Sequence, residues 1–231
     1  MPIDQNAEIE ITAFEWVPPF AQGHVRDLRP RWACEEMGLA YRERLISALE
    51  RPDWYYAEQP WGQVPYVRDG DIGLFESGAT LIHLAEKGGG LLPADGQGRA
   101  SVLSWLLAAF NSVEPYVFEL VEVEVFSRKS DWAVLRRPSL REAIGTRLDR
   151  LQDALGGDKW LAGDFSIADI AMTLILRTIP GEELLQQRPG LSAYVERATA
   201  RPAFKRALDA QLAVFAAHAP TQKSSFETQG A

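Results

Sequence analysis

Cysteine is almost missing from this 231-residue chain: Cys34 stands alone. One thiol cannot close an internal disulfide, and such scarcity fits a reducing compartment, so a cytoplasmic protein is expected. Histidine is nearly as scarce. His24, His83 and His218 lie far apart with no cysteine paired to them, so no metal site is expected. Long apolar runs are absent, and none approaches the roughly 20 residues a membrane span needs. Basic charge is short: 24 Lys and Arg face 32 Asp and Glu, for a net charge of -8 and a pI near 5.0. That balance argues against a phosphate-backbone binder, so no nucleic-acid partner is expected. The opening "MPIDQNAEIE" is acidic and polar, unlike a signal or transit peptide. "KGGG" at 87–90 is no phosphate loop, because no Lys-Ser/Thr follows it. One local absence is more pointed. Between Thr12 and Cys34 there is no Ser, Thr, Tyr or Cys.

What is present falls into two parts. "EIEITAF" alternates Ile9, Ile11 and Ala13 with polar residues, the period of a half-buried strand. "LRPRWACEEMGL" spaces Leu28 and Trp32 as a helix does, with Gly38 as its stop and Pro30 tolerable only in the first turn. "YRERLIS" reads as a second strand, and "VPYVRDGDIGLFES" as a hairpin turning around Asp69-Gly70. "SGATLIHLAEKGGG" reads as a helix with Leu81, Ile82 and Ala85 on one face, ended by Gly88. Residues 1–90 are therefore expected to form a β-α-β-β-β-α domain. "LLPADGQGR" gives a linker at 91–98.

From 99 to 218 the pattern is helical. "SLREAIGTRLDRLQDAL" puts Leu140, Ile144, Leu148, Leu151 and Leu155 on one stripe. "SIADIAMTLILRTI" is apolar nearly all round and is expected at the centre of the helical part. Two more helical segments flank Pro202. "ELVEVEVF" at 119–126 is a conflict, with a strand's period among helices. The last residues, 219–231, are expected to be a flexible tail.

Three motifs bear on chemistry. In "GQVPYV", a proline opens a strand. With a cis Val64–Pro65 bond, the Val64 N–H and C=O would face outward and pair with an extended peptide ligand; read alone, a trans proline merely starting a strand is the commoner case. In "LFESGA", Glu76 and Ser77 stand at a strand-to-helix junction. The helix N-terminus and the Ser77 hydroxyl could hold a carboxylate while Glu76 accepts from an ammonium; an ordinary N-cap explains the same residues. In "GDFSIADIAM", Ser166 and Asp169 make a capping box with Phe165 and Ile170 as its staple, a structural feature.

Together, "QPWGQVPYVRDGDIGLFESGATLIHLAEK", the Pro-bearing linker, "WLAGDFSIADIAM" and "PGLSAYVERATARPAFKRAL" resemble the cytosolic glutathione transferase family, over roughly residues 9–212. The resemblance implies a thioredoxin-like α/β domain followed by an α-helical bundle domain, usually a homodimer with a role in detoxification. It implies that glutathione is the co-substrate. Val64, with Pro65 cis, would bind its cysteinyl unit through the main chain, and Glu76 and Ser77 would bind the γ-glutamyl ammonium and carboxylate. Gln63 would add a contact near the glycine end. Members often carry a cation where Gly62 stands here, which puts glycine-carboxylate recognition in question. Tyr116, Phe118 and Trp105 would line the co-substrate pocket, and Pro18, Pro19 and Phe20 would form one wall of it; plain core packing explains the three aromatics equally well.

Catalysis needs glutathione's thiol, pKa near 8.5 as a free cysteine, as thiolate at neutral pH. The family places a Tyr, Ser or Cys after the first strand; here that position falls near His24 to Arg26, where no hydroxyl or thiol stands. Arg26 could stabilise a thiolate by charge, His24 could donate and titrate, and Gln22 is a neutral donor. Backbone N–H groups around Gly23 are the remaining candidate; solvated loop residues are the plain alternative for each side chain. Thr12 falls inside the strand. Cys34 is read as buried and is followed by Glu35 and Glu36, which disfavour a thiolate. The expected function is transfer of glutathione's thiolate to a small-molecule electrophile or disulfide. The alternative is a non-catalytic binding module of the same fold.

Overall fold

A computed structural model describes residues 2–220. The expected tail from 221 onward lies outside the described residues. The chain packs as two compact units, one holding the residues through Leu84 together with the segment from Pro202, the other Ala85–Arg201.

The first unit is built on a four-stranded sheet: β1 (Ile9–Phe14), β2 (Tyr41–Ile46), β3 (Val67–Asp69) and β4 (Ile72–Leu74), in the order β2-β1-β3-β4. β1 runs parallel to β2 and antiparallel to β3, in registers Ile11↔Glu43 and Ile11↔Val67. The parallel pair requires a crossover, and α1 (Leu28–Met37) supplies it. Gly38 ends α1 in the left-handed conformation at φ 68°. Pro30 sits in the first turn, where its missing N–H is one of the helix's unpaired donors anyway. The β3–β4 loop is Gly70–Asp71, one residue later than expected, with Asp69 paired to Ile72. Gly70 at φ 58° explains the shift: a two-residue hairpin loop with a left-handed first position puts glycine first.

α2 (Ser77–Gly88) follows β4. It buries Leu81, Leu84 and Ala85, leaving Ile82 half-buried. α9 (Pro202–Ala217) belongs by packing to this unit, although the sequence places it at the end of the helical stretch 99–218. It lies on α1 through buried Phe204, Ala207 and Phe215, with the Phe204 ring edge-on to Trp32 at 4.9 Å. An apolar stripe seen in one helix does not state which surface it will cover.

The second unit is helical: α3 (Gly96–Ala108), α4 (Glu114–Val121), α5 (Asp131–Leu155), α6 (Ile167–Arg177), α7 (Glu183–Gln186) and α8 (Pro189–Thr199). α6 is buried from Ile167 to Leu176 and forms the centre, as its all-round apolarity predicts. Its capping box is formed: the Ser166 N–H donates to Asp169 Oδ2 at 2.9 Å, and buried Asp169 also accepts from the Leu161 N–H and the Tyr194 hydroxyl. The conflict at 119–126 resolves as helix, α4 running into a π turn at Glu122–Phe126. Val117, Leu120 and Val123 are buried at helical spacing, whereas Val125, which a strand would bury with Val123, is 41% exposed. α5 begins at Asp131, eight residues before the stripe seen in sequence, because it continues through Pro138. The architecture is a thioredoxin-like α/β domain followed by an α-helical domain.

Candidate functional site

Three segments of the first unit converge: the loop after β1, the stretch before β3, and the junction of β4 with α2. The link between the first two is direct. Arg26 Nη1 donates to Gln63 Oε1 at 3.1 Å. Val25 packs on the buried cluster of Ile46, Tyr55, Val64 and Tyr66. Residues separated by nearly 40 positions are thereby neighbours, and four of the sequence candidates belong to this meeting point.

The Val64–Pro65 bond is cis. Neither the Val64 N–H nor its C=O has a hydrogen-bond partner among the described residues. The buried Tyr55 hydroxyl donates to the Gln63 carbonyl at 2.7 Å. The Gln63 C=O and the Val64 N–H share one rigid peptide plane and point oppositely, so Tyr55 fixes the direction of that N–H. Burial pushes the Tyr55 phenol far above its ordinary range, which keeps it a donor. Such an unpaired backbone pair is what an extended peptide adds to by strand pairing.

Glu76 is the one non-glycine residue with positive φ among those described, at 65°. That conformation costs a side-chain-bearing residue about 1–2 kcal/mol, and such strain concentrates at ligand sites. Glu76 is exposed, and its carbonyl accepts from the Thr80 N–H, so it caps α2 while its carboxylate remains in solvent. Ser77 is buried, and its Oγ accepts from Arg29 Nη1 at 2.8 Å. A hydroxyl that accepts from a guanidinium keeps its own proton for another partner. Arg29 was not anticipated from sequence; its place in the first turn of α1 gives no sign that it reaches a residue 48 positions away.

Arg51 was also not anticipated. Its Nε donates to the Gly62 carbonyl and its Nη1 to Ala48 O at 2.7 Å. Gly62 has φ 62°, and a Cβ there would stand 2.7 Å from the Tyr56 ring and 3.1 Å from Arg51 Cδ. A cation therefore does stand beside Gly62, brought from another part of the chain, and no spacing rule links the two positions.

In the loop after β1, Gln22 Nε2 donates back to Val17 O at 3.0 Å, while His24 is exposed and its N–H donates to Ala21 O. Arg26 is half-buried. The Val25 N–H finds no acceptor among the described residues, and the Leu28 and Arg29 amides donate to the Val25 and Arg26 carbonyls. The turn ends at Asp27, at the positive end of α1. Thr12 is buried inside β1, where its hydroxyl accepts from Arg44 Nε and Nη2 at 3.0 and 2.7 Å. Cys34 is fully buried, and burial first, then Glu35, pushes its thiol far up, so it is not a nucleophile.

In the helical unit, Tyr116 is half-buried with the Arg147 guanidinium 3.6 Å from its ring centre, Trp105 is half-buried and Phe118 is 41% exposed. Phe20, in a short 3-10 turn at Pro19–Ala21, is exposed. No group of three or more His, Cys, Asp or Glu that could hold a metal occurs among the described residues. No helix among the described residues is long and apolar enough to cross a membrane.

Comparison with known proteins places this geometry. Residues 21–86 match the glutathione S-transferase N-terminal domain, and residues 137–202 match the glutathione S-transferase C-terminal domain. The chain is 31% identical to a glutathione S-transferase of Hyoscyamus muticus over 162 residues, 65% of this chain and 76% of that protein. It is 31% identical to glutathione S-transferase 4 of Zea mays over 209 residues, 83% of this chain and 90% of that protein. Among solved structures it is similar to a glutathione transferase family member from Pseudomonas fluorescens with two glutathione bound, at 25% identity and a TM-score of 0.76, over 89% of this chain and 94% of that one. A glutathione transferase from Burkholderia graminis, with two glutathione molecules bound per subunit, gives 26% identity and a TM-score of 0.76 over 87% of each chain. Both domain matches fall in the order of the two architectural parts, and the first covers the cis-proline segment and the start of α2: the chain belongs to the glutathione S-transferase family.

Proposed function

We propose that this protein is a glutathione transferase in which residues 1–90 bind glutathione and the turn Val25–Arg26 stabilises its thiolate for attack on an electrophilic or disulfide co-substrate. Val64, after which cis Pro65 follows, pairs its main chain with the cysteinyl unit. The Ser77 hydroxyl and the start of α2 take the γ-glutamyl carboxylate, and the Glu76 carboxylate takes the ammonium. Gln63 and Arg51 serve the glycine end, so the cation missing from Gly62 is replaced rather than lost. The observation that carries the reading is the Arg26–Gln63 hydrogen bond at 3.1 Å, which sets the loop after β1 against the segment that would hold the cysteinyl unit.

Without a hydroxyl near the sulfur, the thiolate depends on the Arg26 charge and on the Val25 N–H, with the positive end of the α1 dipole behind them. His24, exposed, and Gln22, turned back on Val17, are the weaker candidates.

Two solved relatives hold two glutathiones, which favours disulfide reduction as a second activity. One thiolate attacks the substrate disulfide, forming a mixed disulfide and releasing a thiolate. The second glutathione attacks the mixed disulfide, giving oxidised glutathione and releasing the other substrate thiolate. No protein cysteine takes part, in keeping with the burial of Cys34. The same reading takes the protein as a cytoplasmic homodimer acting in detoxification.

The test is binding to immobilised glutathione, followed by assays with a general electrophile and with a disulfide. Retention and turnover of either substrate are expected. Failure to bind overturns both activities, and binding without turnover of either favours the binding-module alternative.

A further inference from the structure

We infer that Gln211, on α9, is a positioning residue for the thiol-stabilising turn. The inference rests on the proposal that Val25–Arg26 faces the glutathione sulfur. Gln211 is fully buried, 184 residues from the turn in sequence. Its Nε2 donates twice, to Asp27 Oδ1 at 2.7 Å and to Val25 O at 3.2 Å. These two acceptors bracket Arg26. The Val25 carbonyl shares a rigid peptide plane with the Arg26 N–H, and the two point in opposite directions. Holding that carbonyl toward α9 directs the Arg26 N–H away from α9 and restrains the backbone from which the Arg26 guanidinium reaches Gln63.

The side chain is not placed there for its own satisfaction. Gln211 Oε1 is buried with no hydrogen-bond partner among the described residues. An orphaned buried acceptor is destabilising and unusual in a native fold. An apolar residue of similar length would fill the same space without that penalty. What it would lose is the double donation to the turn.

The charged groups around the turn are accounted for otherwise. Asp27 is paired with Arg31 at 2.7 Å, both fully buried, and Arg31 also with the half-buried Glu43. Burial raises the Asp27 carboxyl, against the pull of Arg31 and Gln211. His24, Arg26 and Arg29 are the other charged or titratable groups within two residues of the turn; Glu15 lies earlier in the loop, and Cys34, Glu35 and Glu36 lie further along α1. From α9, Arg206 pairs with Glu35 at 2.6 Å, two turns further along α1. Arg206 therefore helps dock α9 without touching the turn, and Arg206→Met is the structural control.

The experiment measures the pH profile of kcat/KM and the thiol titration of bound glutathione in the full chain. Q211M is expected to raise the apparent thiol pKa by about one unit, lowering the rate roughly tenfold on the acid limb of the profile, below the wild-type thiol pKa, and by a few-fold near neutrality, while the alkaline plateau is kept. R206M is expected to lower Tm and leave the profile in place. Gln211→Asn, which withdraws the amide from both acceptors by one methylene, is read in the same way if Q211M does not fold. A Gln211 variant with the wild-type profile, or an R206M profile shifted equally, overturns the inference alone. An unperturbed thiol in the wild type overturns the role of the turn and this inference with it.

Discussion

Replacing Ser77 with alanine probes the best-defined contact in the site. The hydroxyl is buried, and one of its lone pairs is taken by Arg29 Nη1 at 2.8 Å. The Ser77 carbonyl is occupied separately by the Thr80 hydroxyl at 2.8 Å, so the backbone at the start of α2 stays anchored when the side chain is cut. What disappears, on the proposed binding mode, is one donor to the γ-glutamyl carboxylate. A hydrogen bond to a charged group contributes about 1.5–3 kcal/mol, and 1.4 kcal/mol is tenfold in Kd, so glutathione affinity should fall roughly ten- to hundredfold. The buried Arg29 loses a partner in free and bound protein alike, so that loss appears in Tm and cancels from the binding difference. In an Arg29→Met background the hydroxyl is no longer oriented, and Ser77→Ala should cost less, with a coupling of about 0.5–1 kcal/mol. Calorimetric titration of the four proteins measures both quantities. An unchanged Kd for Ser77→Ala removes Ser77 from the site. Strictly additive effects refute the role given to Arg29.

Further expectations concern neighbouring residues and the fold. Arg51→Met should weaken glutathione binding but not binding of an analogue lacking the glycine carboxylate; equal losses for both ligands would show that Arg51 acts only on the loop. Gly62→Ala forces a side chain into positive φ against the Tyr56 ring and should lower stability by about 1–2 kcal/mol, measurable by denaturant unfolding. Asp169→Ala strands the Tyr194 hydroxyl and two backbone amides, and at about 1–3 kcal/mol for each unsatisfied donor it should lower Tm by roughly 10 °C or more without altering the thiol titration. Burial pushes the Glu58 carboxyl up, but hydrogen bonds and charge from Arg44 and Arg68 outweigh it and hold the group below its ordinary range. Glu58 therefore favours the folded state above the ordinary glutamate value near 4.3, and this is lost as pH falls through the lower folded value. Glu58→Gln should flatten the acid side of the Tm profile, and an unchanged slope would refute the assignment.

The sequence carries local signals well and distant ones poorly. The strand at Ile9–Ala13, the Gly38 stop and the Ser166–Asp169 box are each written within a few residues and each stands, although Thr12, on the polar side of the alternation, is buried under Arg44 rather than facing solvent. The strand-like 119–126 misleads because burial is decided by neighbouring helices, which leave Val125 in solvent. Pro138 hides the start of α5 because proline is a breaker by rule and tolerated here in fact. In the candidate site the motif residues Val64, Pro65, Glu76 and Ser77 are legible, but their supports are not. Tyr55 behind Gln63, Arg29 behind Ser77, Arg51 beside Gly62 and Gln211 behind Val25 are contacts between residues 8 to 186 positions apart that no period or spacing encodes. The absence of a hydroxyl between Thr12 and Cys34 is plain in sequence; only the fold shows a turn held in place where it would have stood.

The central claim is that the Val25–Arg26 turn lowers the thiol pKa of glutathione held by Val64, Glu76 and Ser77. The most direct measurement is the ultraviolet absorbance of the thiolate, titrated with pH for glutathione bound to the wild-type protein and to Arg26→Met. The account predicts a bound thiol that ionises well below the ~8.5 of a free cysteine, moving back toward that value in Arg26→Met while binding is retained. Glutathione that binds with its thiol titrating as in free solution would contradict it.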